Sequence, residues 1–224
     1  MFVPKAYPSN PELGGVTKCS VKSKSEYLRI YFEKIEGIFE EESDLLLDEC
    51  KLEYERTKNH SDDSQYDYRA HESLKDIEFI YLRMHRYSAI LTAYSYLESS
   101  MVKICGDLQV LRNISIEVSD INGEGIVRCR TYLEKLCGFD FNPVNSYWAR
   151  LKTLNRIRNC IMHGNGDAER VRSSTRLIEL IDNHDELSFI EDKLVMLSRR
   201  YVEESINDVE FFLSCLVDKS LEKK

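Results

Sequence analysis

The chain has 224 residues, a net charge of −8 and a hydrophobic share of 42%. A chain of this length can bury a core that folds without metals or disulfides, and we expect no metal and no cofactor. Glycine (9) and proline (4) are scarce, which argues against a turn-rich β-sandwich or barrel and favours long helices.

Seven cysteines are scattered along the chain without a CxxC pair or a zinc-like spacing to histidine. We expect them to be reduced and mostly buried. The first residues lack the pattern of a signal peptide, and no apolar run is long enough to span a bilayer. The sequence therefore predicts a cytoplasmic protein with no membrane partner.

The chain begins with a proline-rich stretch and continues into helical patterns. Residues 1–24 hold three of the four prolines, which predicts a loose N-terminal arm, and residues 25–224 are expected to form one helical domain. Apolar residues at helical spacing predict a long first helix over 25–56. Residues 57–67 break this pattern.

A second long helix is predicted to pack antiparallel to the first. Its seam advances in steps of three and four residues and comprises Ile77, Ile80, Met84, Tyr87, Leu91, Tyr94, Glu98, Met101 and Cys105. Glu98 is the one charged member, and a carboxylate at a helix contact needs a partner. The alternative is that Glu98 is simply exposed.

Shorter elements follow. The sequence predicts a connection with a short extended piece at Ile114–Val118, a helix over 124–137 and a helix opened by Pro143 and Ser146, with Trp148 and Met162 beside its apolar stripe and Gly164 just after its end. Alternation around Glu191 predicts a hairpin, and an amphipathic helix ends the chain. The predicted fold is all-α: an antiparallel bundle of four to five helices with a short β-hairpin before the last helix.

The end of the penultimate long helix, "RNCIMH", places Arg158, Asn159 and His163 beside apolar residues. Histidine can accept and donate protons near neutrality, and arginine offers a charged fork for phosphate oxygens. Together they suit a phosphodiester, and an RNA 2′-hydroxyl with such help needs no metal. The alternative is that His163 and Arg158 only satisfy carbonyl groups at the helix end.

Helical geometry separates the two side chains. Five positions rotate a side chain by about 140°, so Arg158 and His163 project from different faces unless the helix end deforms near Gly164. A two-fold partner would bring a second copy of each residue into one cleft. The sequence therefore predicts a homodimer.

Charge is unevenly distributed. Residues 146–176 hold seven basic and two acidic residues, a local +5, whereas residues 26–63 hold thirteen acidic and five basic residues, a local −8. We expect Arg150, Lys152 and Arg156 to bind RNA phosphates, the alternative being a solvated face. The other histidines, His60, His71, His85 and His184, are expected at the surface.

The motif and the helix order resemble the HEPN superfamily. The resemblance implies a helical domain and a metal-independent endoribonuclease of toxin, antiviral or RNA-processing systems, with a dimeric composite site. It further implies that His163 is the general acid or base, that Arg158 stabilises the transition state, and that Asn159 orients one of them. Glu98 would fix Arg158 or His163 by a hydrogen bond. Asn165 stands where some HEPN toxins have a tyrosine that is adenylylated, so that control is not expected.

Three functions remain open at this point. The first is a homodimeric endoribonuclease, plausibly a toxin or antiviral effector that an antitoxin or regulatory protein restrains. The second is a catalytically inactive HEPN-type module that binds a protein or a nucleotide. The third is a purely structural helical dimer that uses the long seam from Ile77 to Cys105.

Overall fold

The computed structural model of the chain describes residues 16–57, 72–172, 174–191 and 193–221. The helices are α1 (Lys18–Thr57), α2 (Leu82–Leu111), α3 (Gly125–Lys135), α4 (Asn145–Gly164), α5 (Ser174–Asp182) and α6 (Arg199–Leu221). Two short antiparallel strands, β1 (Leu187–Ile190) and β2 (Leu194–Leu197), form a hairpin before α6. The predicted all-α fold with a hairpin before the last helix is confirmed.

The chain forms two compact units. The first takes its described residues from the ranges Met1–Tyr27, Thr92–Asn155 and Ser205–Lys224, and the second from Leu28–Leu91 and Arg156–Glu204. Helices α1, α2, α4 and α6 contribute residues to both units. Within the described ranges, no helix combines the length and apolar character that crossing a bilayer requires.

Helix α1 begins at Lys18, seven residues before the predicted start. The backbone N–H of Ser20 donates to Oγ1 of Thr17 (3.1 Å), and the N–H of Thr17 donates to Oγ of Ser20 (2.9 Å). Such reciprocal capping satisfies N–H groups that a helix start leaves unpaired. Val16 and Val21 are buried. Part of the predicted arm is therefore ordered helix, and its first fifteen residues lie outside the described ones.

In the first unit, α4 and α6 pack antiparallel through aromatic contacts. Tyr147 stacks on Phe211 with ring centroids 4.1 Å apart, and Trp148 lies beside Phe212 at 5.8 Å. The guanidinium of Arg130 lies 4.8 Å from the ring centre of Trp148. The core of this unit also takes fully buried side chains from α2, namely Tyr94, Leu97, Met101, Ile104 and Leu108.

In the second unit, α1 and α2 pack antiparallel, as predicted. Phe32 stacks on His85 at 5.0 Å, and the ring of Phe39 faces Tyr81, which precedes α2, at 6.1 Å. The expectation that His85 is at the surface is wrong, because its ring is buried between the two helices. Burial lowers the pKa of His85, since a protonated imidazole would lose hydration there.

The seam predicted for α2 is wrong at its N-terminal end. A π-helical turn, Ile77–Tyr81, leads into α2 and adds a residue to that turn of the helix. Ile80 and Met84 are consequently exposed. Most of the predicted seam from Tyr87 to Cys105 is buried, and Ile90, Leu97 and Ile104 are buried alongside it. Further along, the piece predicted to be extended, Ile114–Val118, forms no strand, and its last residue begins a 3-10 turn, Val118–Asp120.

All seven cysteines lie in the described residues and are free. Those that are buried, as the sequence predicts for most of them, are Cys105, Cys129, Cys137 and Cys160.

The edge of strand β2 that does not pair with β1 forms hydrogen bonds with other groups of the second unit. The N–H of Val195 donates to the carbonyl of Gly166 (3.0 Å), and the hydroxyl of Tyr87 donates to the carbonyl of Val195 (2.5 Å). Arg86 donates to the carbonyl of Leu197 (2.9 Å). These contacts close an edge that would otherwise present unpaired backbone groups.

Gly166 is required at its position for two reasons. Its φ of 84° is a conformation that residues with a side chain rarely adopt. A Cβ atom on this residue would also overlap the phenol of Tyr87. The turn that follows α4 therefore depends on this glycine.

We expect Gly166→Ala to lower the free energy of unfolding by about 2–3 kcal/mol. Backbone strain contributes about 1–2 kcal/mol, and displacing Tyr87 loses a buried hydrogen bond worth about 1 kcal/mol. Urea titration measures the change. Gly106→Ala is the matched control: no atom lies within 4 Å of the added methyl in α2, so it should stabilise by about 0.5–1 kcal/mol. Equal stability of Gly166→Ala and wild type would contradict this account.

Candidate functional site

Helix α4 stays helical through the whole of the "RNCIMH" motif and ends at Gly164. The residue after the helix is Asn165, which takes the left-handed conformation with a φ of 52°. Gly164 was predicted to occupy that position, and this prediction is wrong because asparagine also tolerates the left-handed region. Since the helix end does not deform, Arg158 and His163 keep their separation of about 140°.

Asn159 holds Arg158. The Nη1 group of Arg158 donates a hydrogen bond of 2.8 Å to Oδ1 of Asn159, and both side chains are half-buried. Asn159 and His163 are four residues apart and therefore neighbours on the helix surface. The hydrogen bond therefore links the guanidinium to a residue on the side of α4 that also carries the exposed His163. The catalytic roles of these residues stay predictions.

The segment after α4 folds back against the helix end. Asp167 is buried, accepts a hydrogen bond from the N–H of Glu169 (3.0 Å) and pairs with Arg170 (3.1 Å). The N–H of Ala168 donates to the carbonyl of Lys193 (2.9 Å), and an isolated bridge joins Asp167 to Leu194. The hairpin thereby fixes the turn that begins two residues after His163.

Cys160 lies inside the motif but is not an activated thiol. Its side chain is buried, and burial, with a smaller effect of Asp167, raises its pKa to about 11. A thiol of that pKa is protonated near neutrality and is a poor nucleophile. Cys160 therefore packs in the core, and Met162, which was predicted beside the apolar stripe, is exposed instead.

The three predicted RNA-binding residues differ in their surroundings. Arg150, in the first unit, makes a two-pronged ion pair with Asp208 (both distances 2.6 Å) and stacks on Tyr147 at 4.4 Å. Its charge is already balanced, so it is a weaker phosphate ligand than the sequence suggests. Lys152 and Arg156 are exposed. Arg156 precedes Asn159 by three residues and His163 by seven, a spacing that puts all three on one face.

Glu98 belongs to the first unit, where it meets the start of α3. A Cβ atom on Gly125 would lie 2.6 Å from Oε1 of Glu98. Gly125 has a φ of 52°, and its missing side chain leaves room for this carboxylate. Negative charge is favoured at a helix N-terminus, so this contact gives Glu98 a structural partner. Its predicted hydrogen bond to Arg158 or His163 stays a prediction.

Tyr87 and Gly166 also matter to the site, and the sequence did not reveal their roles. Tyr87 was placed in the α2 seam as an apolar residue, but its hydroxyl holds Val195 beside Gly166. The "GNG" at 164–166 was the available signal for a left-handed turn.

Among the remaining histidines, His184 is half-buried against Tyr201, and His60 and His71 lie outside the described residues.

Comparisons with known proteins add no family to this picture. Neither models of protein families, nor curated protein sequences, nor solved structures gave a match to the chain. The resemblance to the HEPN superfamily therefore stays an expectation that the motif and the order of the helices carry.

Proposed function

We propose that the chain is a metal-independent endoribonuclease of the HEPN type, acting as a homodimer on RNA in the cytoplasm. The observation that supports this most is the hydrogen bond from Arg158 to Asn159, which links the guanidinium to a residue on the same helix face as His163. A charged fork and an exposed imidazole then lie at the end of one firmly held helix.

The proposed reaction is attack of the RNA 2′-hydroxyl on its own neighbouring phosphorus. One imidazole takes the 2′ proton, and the 5′ oxygen leaves with a proton from an acid. The guanidinium of Arg158 stabilises the charge that builds up on the phosphoryl oxygens. The products are a 2′,3′-cyclic phosphate and a 5′-hydroxyl end.

This reaction needs a base and an acid at the same time. A single His163 is either protonated or neutral, so one chain supplies only one of the two roles in a turnover. A second copy across a two-fold axis supplies the other. The exposure of His163 and Arg156 leaves this face of α4 open to RNA and to a second copy.

Such an enzyme would need restraint in the cell. The resemblance to HEPN proteins suggests a toxin or antiviral effector whose activity an antitoxin or another regulatory protein controls. The alternative function, an inactive binding module, predicts RNA or nucleotide binding without cleavage, and the experiments below separate the two.

We expect purified protein to cleave RNA in the presence of EDTA. The fragments should carry cyclic phosphate and 5′-hydroxyl ends because the nucleophile is the substrate's own hydroxyl. Mass spectrometry and polynucleotide-kinase labelling of the fragments identify these ends. A requirement for Mg²⁺, or 5′-phosphate ends, would refute the mechanism.

Replacing the motif residues should remove cleavage. Loss of an acid-base group or of a phosphate-binding group typically costs about 10²- to 10⁴-fold in rate. The cleavage rates of His163→Ala and Arg158→Ala should each fall by that factor. Arg158→Lys should remain impaired, since lysine keeps the charge but lacks the fork. The rate of Asn159→Ala should fall less, because this variant loses one hydrogen bond to the guanidinium but keeps its charge. Single-turnover rates on a defined RNA measure these effects.

Met162→Ala is the matched control for these variants. Met162 is exposed on the same turn of α4 and contributes no charge or proton, so its replacement should leave the rate within a few fold of wild type. Circular dichroism and chromatography should show that every variant keeps its helices and its oligomeric state. Wild-type rates in His163→Ala would return that residue to a structural role.

Mixing variants tests the shared site. An Arg158→Ala chain paired with a His163→Ala chain retains one arginine and one histidine in different subunits. Because the reaction needs a base and an acid at the same time, the single imidazole of such a heterodimer should give cleavage no faster than that of either homodimer. Clearly faster cleavage would show that one His163 suffices and would refute the two-histidine mechanism. Refolded homodimers of each variant provide the background rate. A wild-type protein that cleaves RNA while sedimenting as a monomer would refute the shared site.

A further inference from the structure

One stripe of α1 in the second unit carries apolar side chains that are exposed to solvent. Tyr31, Ile38, Leu45 and Leu52 follow one another at intervals of seven residues and are 58%, 55%, 67% and 61% exposed. Residues seven apart lie almost above one another along a helix. Single exposed apolar residues are ordinary, but four at one strict interval form a continuous stripe.

Carboxylates border this stripe on both sides. Glu41 and Glu42 stand three and four residues after Ile38, and Asp48 and Glu49 stand in the same relation to Leu45. Residues three and four apart are neighbours on a helix surface, so the two gaps between Ile38 and Leu52 are each flanked by two negative charges, whereas Lys34 lies beside the gap between Tyr31 and Ile38. All four acidic residues are exposed. Lys51 pairs with Asp48 at 2.9 Å, and this contact leaves the other three carboxylates facing solvent.

The stripe differs from the face of α1 that the protein itself covers. Phe32 and Glu36 are buried and contact His85 and Arg86 of α2. The residues between α1 and the next described segment, 58–71, have no apolar residue at seven-residue intervals and carry three aspartates against Lys58 and Arg69. Their sequence therefore matches an acidic apolar stripe poorly.

A second copy of the chain also matches the stripe poorly. Two copies of the segment from Ile38 to Leu52, in either direction, would bring their carboxylates together, and like charges at the flanks of a helix pair disfavour association. A partner needs apolar side chains at seven-residue intervals and positive charges between them. The pattern is complementary in both respects to a basic amphipathic helix.

We propose that this stripe docks a basic amphipathic helix of another protein. Apolar side chains of that helix would pack between Ile38, Leu45 and Leu52, and its lysines or arginines would pair with the bordering carboxylates. Burial of apolar area supplies the affinity, and the charges set the orientation and the choice of partner. The proposal does not depend on RNA cleavage.

Three labelled peptides, each about three heptads long, test the docking of a helix with this chemistry. The first has leucine at every seventh position and lysine at the third and fourth positions after each leucine. In the second, serine replaces leucine, and in the third, glutamate replaces lysine. Fluorescence anisotropy with the full chain should show saturable one-to-one binding of the first peptide and at least about tenfold weaker binding of the others.

The doubly substituted variant Ile38→Ser/Leu45→Ser should bind the first peptide at least about tenfold more weakly than wild type. Both side chains are exposed, so their loss leaves the core intact. Val110→Ser is the matched control, because Val110 is an exposed apolar residue of α2 outside the stripe. Equal affinity of the leucine and serine peptides would show attraction by charge alone and would overturn the proposal. Unchanged binding to the double variant would overturn it too, as would self-association of the chain that this variant abolishes.

Discussion

The buried carboxylate of Glu36 is the constraint on which the second unit depends. Its side chain is 1% exposed, and an uncompensated charge in such a place costs several kcal/mol. Arg86 compensates it with two hydrogen bonds of 2.8 Å, and its remaining Nη1 group donates to the carbonyl of Leu197. A guanidinium can serve three acceptors in fixed directions, which a lysine ammonium cannot do in one plane. The pair thus fixes α1, α2 and β2 together.

The next residue of α2 extends this arrangement to the candidate site. Tyr87 donates a hydrogen bond to the carbonyl of Val195, and Arg86 donates one to the carbonyl of Leu197, two residues further along β2. Two adjacent side chains of α2 therefore bind alternate carbonyls of one strand. The phenol occupies the space that a side chain on Gly166 would need. Val195 in turn donates to Gly166, three residues after His163. The end of α4 is therefore held by groups that take no part in the proposed chemistry.

The sequence alone predicts the helices and the hairpin, because their patterns are local, but it misplaces residues whose position depends on distant partners. His85 was expected at the surface, and its contact with Phe32, about fifty residues earlier, explains its burial. Arg86 likewise depends on distant groups, Glu36 and the carbonyl of Leu197. The π-helical turn before α2 shifts the register of the seam, and apolar spacing does not reveal it. At the site, the motif residues could be named, whereas the balancing of Arg150 by Asp208 depends on how α4 meets α6.

Helix geometry limits what one copy of the motif can do in the proposed reaction. In-line displacement at phosphorus places the attacking 2′ oxygen and the leaving 5′ oxygen on opposite sides, so the groups that exchange protons with them must also lie on opposite sides. A regular helix presents His163 on one side only, and the hydrogen bond between Arg158 and Asn159 brings no second proton-transfer group. The motif is thus well suited to hold the phosphate and serve one oxygen. The other oxygen requires a proton-transfer group from elsewhere. The His163 of a two-fold related copy would supply it without any other residue of the chain.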